Sequence, residues 1–198
     1  MNPLNSITGS IVTGLIIALA IALGIAPTQF NELGLARWIH IISGVTWIGL
    51  LYYFNVVQTP ALARAAADKG GPGGAGVSKY VAPLALLWFR WSAVATWFTG
   101  FWYLTYAGHF MDALTLGHGG QDLYGLTIGI GAWLGTIMLF NVWVFIWPNQ
   151  KKILGLVAAT DEQKAKARKV ALIASRTNFV LSIPMLMCMA SASHGLPF

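Results

Sequence analysis

Five stretches of this chain, residues 11–26, 35–57, 83–108, 124–147 and 170–192, contain not one Asp or Glu. Each runs to about 16–26 residues, enough at 1.5 Å per helical residue to cross a hydrocarbon core of about 30 Å. Backbone in lipid has no water to bond to, so segments of this kind must be helices. Composition agrees: 57% of residues are hydrophobic and 9% charged, against about 25% charged in soluble domains. The expectation is an all-α integral membrane bundle, one domain over residues 1–198 with five transmembrane helices.

The first stretch has the length of a signal-peptide core. No basic segment precedes it, and Pro27 follows at once, so it is expected to be a retained helix. Nine of the twelve Lys and Arg lie in the loops after the second and fourth stretches. By the positive-inside rule those loops face the cytoplasm, with the N-terminus inside and the C-terminus outside. The same rule accounts for the net charge of +6 without a nucleic-acid partner. The lipid bilayer is the expected surround, and a bacterial inner membrane the expected location. The glycine-rich GGPGGAG near residue 70 lacks the lysine and serine of a phosphate loop and reads as a connector. After the fourth stretch, Thr160, Asp161 and Glu162 mark the N-cap of a short amphipathic helix.

Polar residues inside such stretches carry most of the information, because ionisable groups at membrane depth are costly and function is their default reading. Arg37, His40, Gly44 and Trp47 share one helical face near the start of the second stretch. His109, His118 and His194 fall on the same outer side as His40 in the expected topology. Two imidazoles at one depth would clamp a haem iron, with His40 the first choice, His109 and His194 competing for the second position, and His118 a weak rim ligand. Arg37 would meet a propionate. The competing reading is an interfacial histidine bonded to a carbonyl, with Arg37 reaching lipid phosphate.

A second polar layer, Arg90, Asn141, Arg176 and Asn178, lies toward the inner side. It suits an anionic ligand or substrate, or lipid phosphates. Met185, Met187, Cys188, Met189 and His194 offer soft ligands for copper, although scattered methionines are more often packing. The lone cysteine, Cys188, excludes a disulfide framework. Gly125, Gly129, Gly131 and Gly135 form overlapping GxxxG spacings that favour close helix packing over a flat ligand. No catalytic triad, paired carboxylate or zinc motif is visible.

RWIHIISGVTWIGLLYYF, KYVAPLALLWFRWSAVATWFTGF, IGAWLGTIMLFNVWVFIWPNQKK and SRTNFVLSIPMLMCMAS occur in this order. Together they resemble the membrane domain of the cytochrome c-coupled urate hydroxylase (PuuD) family, with WFRWxxxxTWxTGF and NVxxxIxPNQ the most specific patterns. The resemblance implies a multi-helix domain that oxidises urate and passes electrons to a C-terminal cytochrome c domain. His40, Arg90, Asn141 and Asn178 match the family pattern. Leu87 and Thr177 stand where it implies histidines, and the sequence to Phe198 includes neither that cytochrome domain nor the extra helices of larger members. The expected function is a haem b-binding redox component delivering electrons to a periplasmic partner. The alternatives are an accessory subunit of a larger membrane complex, and urate oxidation with a separate cytochrome c.

Overall fold

A computed structural model of the chain describes residues 2–26 and 30–197, all helix, turn or loop; Pro27 and Phe198, used above, lie outside them. Among the described residues, five helices are long and apolar enough to cross a membrane: α1 (Ile7–Ile25), α2 (Glu32–Ala67), α3 (Val77–Tyr106), α4 (Leu123–Ile153) and α5 (Asp161–Ser191). The chain divides into two compact units, residues 1–32 and 33–198. Each is described by itself. In the first, the Ser6 side chain caps α1 by accepting from the Gly9 N–H at 3.0 Å, and no residue of α1 is buried.

In the second unit, α2, α3, α4 and α5 enclose one core. Trp47 and Leu51 from α2, Phe89 and Ala93 from α3, Met138 and Val142 from α4 and Met185 from α5 meet there. Phe54 meets Phe89 edge-on, with ring centroids 5.5 Å apart. The buried hydroxyls of α3 are satisfied close to home. The hydroxyls of Ser92, Thr96 and Thr99 donate to Phe89, Ser92 and Ala95 carbonyls on their own helix, which removes the cost of burying an unpaired donor.

Three of the differences between these helices and the expected stretches have one cause. The expected stretches end at 57, begin at 83 and end at 147, beside Pro60, Pro83 and Pro148, and a proline disfavours helix in the residue before it. The helices run through all three. Each proline is preceded by a π-helical turn, Tyr53–Gln58, Val77–Val81 and Asn141–Ile146. The residues just before the prolines bond five residues back: Thr59 N–H to Phe54, Ala82 N–H to Val77 and Trp147 N–H to Val142. The widened turn makes room for a ring that has no N–H to give. As a result α2 continues to Ala67, α3 begins at Val77 and α4 continues to Ile153.

At α5 the expected amphipathic helix and the fifth span are one element. It starts at a capping box in which the Thr160 side chain accepts from Gln163 N–H and the Gln163 side chain from Thr160 N–H.

Candidate functional site at the histidine-bearing end

His40 lies on α2 facing the middle of α3. Its Nδ1 is 2.8 Å from the Thr96 carbonyl oxygen, which can only accept, so Nδ1 carries the proton. In a neutral imidazole Nε2 then holds a lone pair, the tautomer found in metal-bound histidines, whose other nitrogen donates to a carbonyl or carboxylate. The ring lies against Gly100. A Cβ there would stand 2.9 Å from the ring Cε1 and 3.0 Å from Nδ1, closer than side chains pack. Glycine at residue 100 is what lets the imidazole reach α3.

The other members of that face of α2 separate. Gly44 packs toward Thr96, with 3.7 Å from its Cβ position to the threonine methyl. Trp47 is 2% exposed in the core, and its indole N–H has no hydrogen-bond partner among the described residues. Arg37 is exposed.

His109 and His118 come together, but away from His40. His109 lies past the end of α3, and from Gly100 to that end at Tyr106 the helix rises about 9 Å. Its Nδ1–H donates to Asp112 Oδ2 at 3.0 Å, and His118 Nε2–H donates to Asp112 Oδ1 at 3.2 Å. One carboxylate thus holds two imidazoles, and the Tyr124 ring lies 4.8 Å from that of His109. The His109 hydrogen bond, helped by that of His118, holds the Asp112 carboxyl below its usual range against the opposing cost of burial. Among the described residues no group of three His, Cys, Asp or Glu is arranged to hold a metal ion. His194 is exposed just past α5. Cys188 and Met189, near that end of α5, meet Gly131 in the first half of α4, so His194 lies at the same end of the bundle without a described side-chain contact to the other histidines.

The loop carrying His118 is held down by glycines. Leu116, Gly117, His118, Gly119 and Gly120 all have positive φ, a left-handed turn that two non-glycine residues enter at a cost. Behind it, a Cβ at Gly125 would meet the Gly117 Cα at 2.9 Å, and one at Gly129 would meet the Ala113 carbonyl oxygen. Half of the GxxxG pattern therefore receives this loop, while Gly131 receives α5.

The second polar layer does not converge on one point. Arg90 stacks over the Trp147 ring, 3.9 Å from its centroid. Asn141 Nδ2 donates to Asn178 Oδ1 at 2.8 Å, and Asn178 Nδ2 donates to the Met138 carbonyl at 2.9 Å. Asn178 is fully buried; the pair is a bonded cross-link between α4 and α5. Arg176 is exposed. The sequence reading missed a second cross-link, Asn55 Nδ2 to Ser175 Oγ at 2.9 Å, and the roles of Thr96 and Gly100, although both stand in the WFRWxxxxTWxTGF pattern. Met185 and Cys188 are buried packing residues, while Met187 is partly exposed.

Part of the chain, at the C-terminal side of this site, is similar to a known family. The model of the family described as Urate oxidase N-terminal matches residues 124–198, which hold α4 and α5 with Asn141, Arg176, Asn178 and His194. His40 and Arg90 lie outside the match. No curated protein and no solved structure matches the chain.

Proposed function

We propose that this chain is a membrane-embedded, urate-hydroxylase-related redox component in which His40 is the single protein ligand of a haem b. The similarity of α4 and α5 to the urate oxidase N-terminal family supports the class. The observation that carries the site is the His40 Nδ1 to Thr96 carbonyl bond of 2.8 Å. It orients the imidazole and leaves Nε2 basic. When bound, a haem supplies one-electron chemistry. Thr96 and Gly100 fix the tautomer and depth of the ligand, and the packed core below excludes water. At the depth of His40 the donor set offers one axial histidine and not two, since His109 and His118 gather on Asp112 beyond the end of α3 and His194 is exposed past α5.

On this reading the two basic loops face the cytoplasm of a bacterial inner membrane, the histidine-bearing end faces the periplasm, and electrons leave to a separate cytochrome c-type partner. Urate itself is the less favoured substrate for the chain on its own. Arg90, Asn141 and Asn178 bond to the protein, so of this layer the exposed Arg176 alone is left to meet an anion.

The absorption spectrum of the purified protein tests the proposal. A Soret band that shifts on dithionite, binds carbon monoxide in the reduced state and vanishes in His40→Ala is the expected result. A colourless, metal-free preparation overturns it. One observation favours a second reading, an accessory subunit: the bonded Asn141–Asn178 cross-link serves packing. Stoichiometric co-purification of partner subunits with a colourless protein would establish it.

A further inference from the structure

A groove of about 600 Å3 runs between α2 and α3, lined by Val45, Gly49 and Leu50 on one side and Tyr80, Leu84 and Trp88 on the other. We propose that it holds one acyl chain of an anionic glycerophospholipid whose phosphate meets Lys79.

Three observations select this occupant. The first is shape. The α3 wall spans nine residues from Tyr80 to Trp88, about 12 Å of helix, and a Cβ at Gly49 would meet nothing within 4 Å. The residues around Gly49 do not favour a second helix in this space. The closest helix approach is favoured by small residues four apart, whereas Val45 and Tyr53 occupy those positions and Leu84 and Trp88 face them. A single flexible chain has no such requirement.

The second is polarity. The lining carries no charged residue, and the Thr46 hydroxyl donates to the Ile42 carbonyl at 3.1 Å on its own helix, so the walls offer nothing to a polar ligand. The third is the mouth. Tyr80 is exposed at the end where α3 begins, and the Lys79 ammonium sits over its ring at 5.3 Å from the centroid. An amphipathic ring with a cation beside it is what an anionic headgroup meets at a membrane interface.

Purified full-length protein in mild detergent, titrated with dioleoyl phosphatidylglycerol or dioleoyl phosphatidylcholine and read by native mass spectrometry, tests this. The wild type is expected to keep one phosphatidylglycerol preferentially. Gly49→Leu fills the groove and should lower that binding about fivefold or more, while Gly135→Leu, at a position equally open on α4, should leave it unchanged. Lys79→Gln should remove the preference for phosphatidylglycerol, about fivefold for one basic residue near an anionic surface, and retain the adduct. Thermal unfolding of each variant confirms that it is folded. Unchanged lipid binding in Gly49→Leu overturns the proposal, as does a preference that survives in Lys79→Gln. A change of oligomeric state in Gly49→Leu with lipid binding unchanged would mean that protein covers the groove.

Discussion

The imidazole of His40 and the carbonyl of Thr96 are joined at 2.8 Å across 56 residues of sequence. The bond ties α2 to α3 at the depth where Gly100 gives way to the ring.

Gly100→Ala tests that contact directly. Its Cβ would stand 2.9 Å from the ring Cε1, so the imidazole must tilt and its bond to Thr96 must lengthen. Overpacking of this kind costs about 1–3 kcal/mol. Reduced thermal stability and, in haem-loaded protein, a displaced Soret maximum are expected. A variant indistinguishable from wild type in both would show that the ring is not seated on Gly100.

The Asn141–Asn178 cross-link should behave as a buried pair. Asn178→Leu removes the acceptor for Asn141 and the donor to Met138, and interhelical bonds of this kind in membranes contribute about 0.6–2 kcal/mol. In a double-mutant cycle with Asn141→Leu the losses should be less than additive. Additive losses would mean the two side chains act separately.

Asp112 gives the histidine-bearing end a defined pH dependence. Its carboxyl is held below the ordinary range, chiefly by the His109 hydrogen bond, so its contribution is present above the unfolded carboxyl value. It is lost as pH falls through the lower, folded one. Hydrogen exchange in residues 110–122 should therefore accelerate as pH is taken below about 3.9, after correction for intrinsic rates. Asp112→Asn should show fast exchange in that segment already at neutral pH, with little further change on acidification.

Gly129 and Gly135 lie six residues apart on α4, yet alanine should act on them with opposite sign. At Gly129 the new methyl would strike the Ala113 carbonyl, undocking the loop at a cost of about 1–3 kcal/mol. At Gly135 it would meet nothing within 4 Å, and helix propensity favours alanine by up to about 1 kcal/mol. Thermal unfolding of the two single variants is the comparison to make.

The helices were legible because acid-free apolar length is a strong signal, and so was the start of α5, where Thr160 and Gln163 stand at capping-box spacing. The ends at Pro60, Pro83 and Pro148 were not. A proline predicts the loss of one backbone bond, but whether the chain breaks there or widens into a π turn depends on packing from the other helices. Site legibility divides in the same way. His40 stands out as an ionisable group among apolar ones. Its partner is a backbone carbonyl, invisible in residue type, and Gly100 is one of 22 glycines. Asp112 and His118 meet only because a left-handed turn at Leu116–Gly120 reverses the chain, which spacing along a helix cannot anticipate.

The three π turns also work as phase shifters. A helix advances by about 100° per residue, so a turn carrying one extra residue delays everything after it by roughly that angle. On α4 this keeps Met138, Val142 and Ile146, spaced four apart, all buried in one line where a strict α-helix would let the line drift. Trp147, and with it the seat of Arg90, owes its bearing to that delay. Trimming one residue between Asn141 and Ile146 would barely shorten α4, but it would rotate the indole off the guanidinium and turn the lysines at 151 and 152 toward a different azimuth. Rotational bearing, more than length, is what these proline-linked turns contribute to the bundle.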